Sequence, residues 1–293
     1  IRTAWKDEFG MRSSRLSGIY ALGTVIAALI LFLTTRAAVA ACLLGMVDRA
    51  PLAQFASALS LHDPAMLAQM ATVPKGTVSV TYIGHSSFLI ETPGGASAVT
   101  DYNGVHTPPF APDIVTMNHS HESHYTDVIQ EGVKHVLRGW KPGGGFARHD
   151  VRHLDLRVFS LPTNIGEHGD PGTNNNSIFV FEIANLCIAH LGHLHHVLTR
   201  EQLRDLGRID VLFVPIDGSS TMSHEQAIAV IQQIEPRLII PMHFGFSGSA
   251  DVFFERAKKL WAIRSEAGSK LLISRGSLPR TTEIRFLQGG GTF

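Results

Sequence analysis

Cysteine is nearly absent from this chain. Cys42 and Cys187 are the only two in 293 residues, which excludes a disulfide-dense scaffold and a thiolate zinc cluster. Cys187 sits in the apolar run Leu186-Cys187-Ile188-Ala189 and reads as a small buried hydrophobe. Charge is also scarce, at 17% of residues with a formal net of zero. No nucleic-acid partner is therefore expected, because a binding groove needs a cationic surplus. Repeats, heptads and low-complexity tracts are missing as well, and with them solenoid and coiled-coil architectures. The length suits one large domain with an appendage.

One long uncharged apolar run occurs, from Leu16 to Thr35, preceded by Arg12 and Arg15 and closed by Arg36. It is long enough to span a bilayer as a helix. Three readings are open: an uncleaved membrane anchor, a cleaved export signal with Ala38-Val39-Ala40 as the small-residue site, or a lipoprotein signal ending Val39-Ala40-Ala41-Cys42. In each, basic residues on the amino-terminal side place the rest of the chain outside the cytoplasm, in the periplasm if the source is bacterial. Residues 1–45 are thus expected to be a signal or anchor segment. Residues 46–76, with Pro51, Pro64 and Pro74, are expected to be a linker, and 77–293 the working domain.

Within that domain short strand-like runs come first. Val78–Ile83, Ser87–Thr92, Ala96–Thr100 and Ile114–Met117 are followed by Arg157–Leu161, Ser177–Ile183, Leu186–Ala189, Val211–Pro215, Leu238–Pro241, Lys270–Ile273 and Glu283–Leu287. Helical spacing marks Thr199–Leu206, Ser223–Ile234 and Ala250–Glu266, with Ser223 and Gln226 as a capping box. Strands first and alternating elements later suggest sheet layers with helices on their outer faces.

Histidine is the over-represented titratable residue, at 16, and neutral imidazole is the commonest ligand for zinc-like cations. Four apolar runs each end in metal-competent side chains. Asp101 follows Ala98-Val99-Thr100, and His119, His121 and His124 follow Ile114–Met117. His190, His193, His195 and His196 follow Leu186–Ala189, and His243 follows Leu238–Met242. In an extended segment His119 and His121 point the same way and can chelate one ion together. If the strands are neighbours, their ends meet at one sheet edge, where sites of layered α/β folds sit. Met117 is followed within ten residues by Glu122 and Asp127, the nearest carboxylates to the cluster. His85 lies in a turn, where it either approaches the site or stabilises the turn.

The order Thr81-Tyr82-Ile83-Gly84-His85-Ser86-Ser87-Phe88-Leu89-Ile90-Glu91, Thr100-Asp101, the His119–His124 cluster, Ala189-His190-Leu191-Gly192-His193-Leu194 and Pro241-Met242-His243-Phe244-Gly245 resembles the metallo-β-lactamase fold hydrolases. Within them it is similar to the branch of L-ascorbate-6-phosphate lactonase-like and N-acyl-phosphatidylethanolamine phospholipase D-like proteins. The resemblance spans Val78 to Leu287. It implies an α/β fold, a four-layer αββα sandwich, with one or two metal ions at the seam between the sheets, usually zinc, with iron or manganese also compatible. It implies His119, His121, His124, His193 and His243 as metal residues, with Asp101, Glu122 and Asp127 as the carboxylates that assist catalysis. The family signature HxHxDH has Ser123 here in place of its aspartate, and His193 stands where the family has a bridging aspartate. A further ligand is expected after Leu161, at Asn164 or His168.

The function implied is a metal-dependent hydrolase acting on an ester, lactone, phosphodiester or related bond of a small-molecule or lipid-like substrate. The alternatives are a metal-binding protein that has lost hydrolysis, favoured by Ser123 and His193, and a redox protein using iron or manganese. Gly143-Gly144-Gly145 and the segment Gly166 to Asn176 are candidate substrate-covering loops. The membrane is an expected partner through the amino-terminal segment, and the oligomeric state is left open.

Overall fold

Apolar residues on both faces of most of the strands dictate sheets that are covered on both sides. The computed structural model describes residues 42, 73–143, 145–166, 176–244 and 249–288, and these form two sheets. One sheet has six strands: β1 (Thr77–Gly84), β2 (Ser87–Glu91), β3 (Ser97–Val99), β4 (Ile114–Met117), β5 (His135–Arg138) and β13 (Lys270–Ser274), in the order β13-β1-β2-β3-β4-β5. The other has eight: β6 (Asp150–His153), β7 (Leu156–Thr163), β8 (Asn176–Ile183), β9 (Leu186–His190), β10 (Val211–Pro215), β11 (Leu238–Met242), β12 (Ala262–Ser265) and β14 (Glu283–Phe286). Their order is β12-β14-β11-β10-β9-β8-β7-β6. Strands β3, β4 and β5 run parallel, as do β9, β10, β11, β14 and β12. The carboxyl ends of β3, β4, β9, β10 and β11 therefore provide the loops available to a site.

The alternation assigns each residue to a layer. Val78, Val80, Phe88, Ile90 and Ile114 of the smaller sheet meet Phe179, Phe181, Ile188, Phe213 and Ile240 of the larger one in the central core. Phe88 stacks on Phe213 with ring centroids 4.2 Å apart, and truncating such a buried ring costs about 3–5 kcal/mol. The intervening residues Val180, Ala189, Leu212, Val214 and Ile239 face the opposite way. There they pack under α1 (Arg200–Leu206), α2 (His224–Ile234) and α3 (Ser249–Ala257), through Leu206, Ala227, Val230, Ile231, Phe253 and Ala257. Both α1 and α2 start with complete capping boxes, Thr199 with Gln202 and Ser223 with Gln226, which satisfy donors that a helix start leaves open.

The structure departs from the sequence reading in several places. The outer face of the six-stranded sheet, with Leu89, Val99, Val115 and Met117, is covered by Tyr102, Phe110, Tyr125, Ile129 and Trp140 from connecting segments. Among the described residues no helix lies there. The helix expected over Ala250–Glu266 stops at Ala257, and Ala262–Ser265 instead pairs in parallel with β14 as an edge strand. Strands β5 and β6 were not expected. They are edge strands rich in His, Arg and Asp, and edges are kept polar because they face water.

Cys187 is not a lone hydrophobe. It is joined to Cys42, with Cα atoms 5.8 Å apart across a sequence separation of 145, a pairing that spacing alone cannot reveal. The backbone N–H of Arg208 donates to the Cys42 carbonyl at 3.1 Å. The apolar run from Leu16 to Thr35, the small-residue cleavage site and the linker up to residue 72 lie outside the described residues, as do Gly144, His168 and most of the second covering loop. No described helix is long and apolar enough to cross a membrane.

Candidate metal centre

Two sheet edges are drawn together by a set of small and amide residues. Asn118, one residue past β4, donates its side-chain amide to Ser177 O at 2.7 Å and to His190 O at 3.3 Å. Its own carbonyl accepts from Ser177 N at 3.0 Å. Gly192 has φ +60, and a Cβ there would stand 2.4 Å from Asn118 Cβ, so only glycine permits the approach. Asn176 then accepts from His193 N at 2.8 Å, fixing the turn that follows β9.

Around this seam stand seven histidines: His85, His119, His121, His124, His193, His195 and His243. Each ring centroid lies within 6.4 Å of at least one other. His85, His124 and His243 each offer a ring nitrogen, and these three nitrogens lie within 4.8 Å of one another.

His124 is fully buried, and its Nδ1–H donates to Asp101 Oδ2 at 2.7 Å. Asp101 Oδ1 accepts from Asn118 N at 3.0 Å. A carboxylate on Nδ1 fixes the tautomer and leaves Nε2 as a bare donor toward the seam. Ser86 Oγ is 3.3 Å from His124 Nδ1, and the Ser86 carbonyl accepts from His190 Nε2 at 2.7 Å. His190 therefore serves as a buried brace behind Asp101. Burial pushes the Asp101 carboxyl up, opposed by His190 and by the Asn118 N–H.

His243, in the larger sheet, repeats the device. Its Nδ1 stands 3.3 Å from Asp217 Oδ1. The Asp217 carboxylate also takes the Thr221 hydroxyl and the backbone N–H groups of Ser219, Ser220 and Thr221. Burial alone would raise this carboxyl, but the bonds from His243 and Thr221 hold it well below the usual range. Sequence reasoning missed Asp217, although it follows the apolar run Val211–Ile216 as the other site residues follow theirs.

Four of the imidazoles are held neutral. Burial, then the neighbouring His243 and His124, push His85 down to about 3. Burial with repulsion from other rings also lowers His124 and His193 strongly, and burial lowers His195. Neutral imidazole is the form that binds a cation, and the crowding that opposes protons is relieved by one shared ion. His193 Nδ1 lies 3.0 Å from His124 Nε2. Two lone pairs that close require a proton or a cation between them. The donor set of imidazoles, with carboxylates one layer out, fits zinc, iron or a similar borderline ion.

Several expected residues sit elsewhere. The chain leaves the extended conformation after Met117, with His119 in a single bridge to Asn176 and His121 in the following turn. Their rings are parallel, with centroids 6.1 Å apart. His121 is exposed, and its Nδ1 is 2.8 Å from Ser123 Oγ. Glu122 is exposed on the same turn. Asp127 is exposed and paired to Arg138 Nη2 at 2.9 Å, which draws it away from the seam. Asn164 presents its N–H to His196 Nε2 at 3.2 Å and belongs to the neighbouring loop.

Comparison with known proteins identifies the family. Residues 79–243 match the family described as a beta-lactamase superfamily domain. A UPF0173 protein of Pyrococcus furiosus is 30% identical over 190 residues, 59% of this chain and 87% of that protein. A UPF0173 metal-dependent hydrolase of Ignicoccus hospitalis is 25% identical over 198 residues, 57% of this chain and 83% of the other. A solved structure from Thermotoga maritima, assigned as a candidate zinc-dependent hydrolase of the metallo-beta-lactamase superfamily, is 26% identical. It superposes with a TM-score of 0.54 over 72% of this chain and 98% of that one.

Proposed function

The chain belongs to the beta-lactamase superfamily, and from that premise we propose that it is a metal-dependent hydrolase whose cation, zinc by the chemistry of its donors, binds in the histidine seam. The observation that carries this reading is the buried Asp101–His124 pair. It costs desolvation of a carboxylate, and its effect is to aim one nitrogen lone pair into a cluster of neutral imidazoles contributed by both sheets. A divalent cation there would bring the pKa of coordinated water toward 7 and polarise a carbonyl or phosphoryl oxygen. The chain's own part is to orient the ring nitrogens, and burial keeps His85, His124 and His193 unprotonated near neutral pH. His195, in the loop after β9, and the Ser219-Ser220 turn around Asp217 border the seam and would contact a bound substrate.

The substrate class is an ester, lactone or phosphodiester of small-molecule or lipid-like character, in keeping with the lactonase-like and phospholipase D-like branch that the motifs resemble. Export or anchoring through the segment before Cys42 fits the Cys42–Cys187 disulfide, since such bonds persist in oxidising compartments. Elemental analysis of the purified chain, followed by turnover on a panel of esters, lactones and phosphodiesters with and without chelator, tests the reading. Bound zinc with chelator-sensitive turnover is expected. Zinc without turnover would favour a metal-binding protein that has lost hydrolysis, a second reading supported by Ser123 and His193 at two carboxylate positions of the family.

A further inference from the structure

We propose that the sheet edge holding Cys42 rests on anionic lipid headgroups, so that the histidine seam opens away from the bilayer and takes a water-soluble ester, lactone or phosphodiester. This choice among substrates rests on the metal-dependent reading above. Strands β9, β10, β11 and β14 run parallel, so the seam at their carboxyl ends has an opposite edge at their amino ends. Cys187 lies near the start of β9 (Leu186–His190), in a hydrogen-bonded row along that opposite edge. Its N–H donates to Asp210 Oδ2 at 3.0 Å, and its carbonyl accepts from Asp210 N at 2.8 Å. The Asp210 carbonyl accepts from Arg237 N at 3.0 Å, and the Arg237 carbonyl from Glu283 N at 3.1 Å. At about 3.3 Å per residue, Cys187 stands roughly 10 Å along the strand from His190, and the seam lies beyond His190.

The disulfide fixes Cys42 on this edge, buried in the apolar layer that contains Leu206 and Ile209. The bond consumes the Cys42 sulfur, which a lipoprotein would need for its thioether. That removes the lipobox reading of Val39-Ala40-Ala41-Cys42. The apolar run from Leu16 ends at Thr35, seven residues before Cys42. Seven residues reach at most about 25 Å when fully extended. A bilayer that holds this run therefore lies near the Cys42 edge, and the seam stands at the other end of the strands.

Charge on the edge complements an anionic surface. Arg208 and Arg275 both reach Asp210, so two partly exposed guanidinium groups share one buried carboxylate and a positive charge is left over. Arg237 donates from Nε to Pro279 O at 2.5 Å and from Nη2 to Leu278 O at 3.3 Å. Those bonds hold the segment that presents Arg275 and the exposed Arg280. Arg204 is exposed on the last turn of α1, just before Arg208. Around these arginines the exposed acids, among the described residues, are Asp205 and Glu235, so the basic groups outnumber them. Guanidinium groups bind phosphate through paired hydrogen bonds, and each one at an anionic bilayer strengthens attachment about fivefold.

The test reconstitutes the full chain in vesicles of phosphatidylglycerol and phosphatidylcholine that carry a nitroxide quencher on the headgroup. A fluorophore is attached through one new cysteine on either edge, Thr281→Cys beside Arg280 or Glu122→Cys on the exposed turn after β4. The native cysteines are paired and stay unlabelled. Expected is strong quenching at position 281 and none at 122. Adding Arg204→Gln and Arg280→Gln should shift the balance from resting to lifted about 25-fold, two fivefold factors. Quenching at 122 alone, at both positions or at neither would overturn the orientation, as would a chain that fails to float with the vesicles. Unchanged quenching in the arginine variant would overturn the role of charge. Turnover is then compared for a monomeric short-chain phosphodiester or ester and for the same bond in a long-chain lipid of the vesicle. Turnover of the soluble compound alone is expected, and preference for the embedded lipid would overturn the substrate class. Turnover of neither, with the labels as expected, would overturn the hydrolase reading and the substrate class with it, while the orientation stands.

Discussion

The two sheets contribute to the candidate metal centre through the same device under different conditions. In the six-stranded sheet the carboxylate is sealed in the core: Asp101 and His124 have no solvent exposure and approach to 2.7 Å. In the eight-stranded sheet the carboxylate sits on a loop: Asp217 and His243 are about one-tenth exposed and 3.3 Å apart. The first pair is part of the fold, because removing either member strands a buried polar group. The second is held by a local nest of N–H groups, so it can be altered with the fold intact. Stability and metal affinity should therefore respond differently to the two aspartates.

The largest effect is expected from Asp101→Ala, which leaves His124 and the Asn118 N–H without their acceptor. Leaving two buried donors unsatisfied in this way costs about 1–3 kcal/mol each, and urea unfolding would measure it. A loss below about 1 kcal/mol would place the pair with surface ion pairs and remove the contrast between the sheets. Cys42→Ser should come next, costing about 2–4 kcal/mol by releasing a long loop. Both thiols should be blocked to alkylation in the unreduced chain.

A pH dependence of stability is expected in the metal-stripped chain. His85, with a pKa of about 3 when folded, takes up its proton more readily when unfolded, as do His124, His190 and His193, all lowered chiefly by burial. The unfolded state binds more protons, so stability falls as pH drops below the ordinary value near 6.5. For His85 the loss is complete below about 3. Thermal melts across that window should show a midpoint falling with acid; one that is flat or rises would contradict neutral burial.

Asp217→Ala should cost less stability, under about 2 kcal/mol for the local hydrogen bonds, while weakening zinc binding. Equal stability losses in both aspartate variants would erase the distinction. Glu122→Ala and Asp127→Ala should be the smallest, within about 0.5 kcal/mol as for other surface changes, with hydrolysis unchanged. A marked loss of turnover in either would return the exposed turn after β4 to the catalytic centre.

How far the sequence could be read depended on whether the signal was local. Strands such as Ile114–Met117 and Val211–Pro215 were found at their observed bounds, because apolar runs between turn residues report directly on a pleated, doubly buried backbone. The capping box at Ser223 was equally plain. β5 and β6 escaped notice because edge strands carry charge, and the final turns of Ala250–Glu266 misled because Ile263 suits a helix period and a strand equally. Asp217 obeyed the same strand-end rule as Asp101, yet it was overlooked because no histidine accompanied it.

The amino-acid sequence by itself determined the two-layer alternation, the helix starts and the concentration of histidines at the carboxyl ends of strands, since these depend on periodicity and on neighbours along the chain. Only the tertiary structure decided which imidazoles converge, that His85 joins His124 and His243 while His121 turns outward, and that Cys42 meets Cys187. Those contacts join residues far apart in sequence. Their geometry depends on how the two sheets are drawn together at Asn118 and Gly192, and no local pattern encodes that approach.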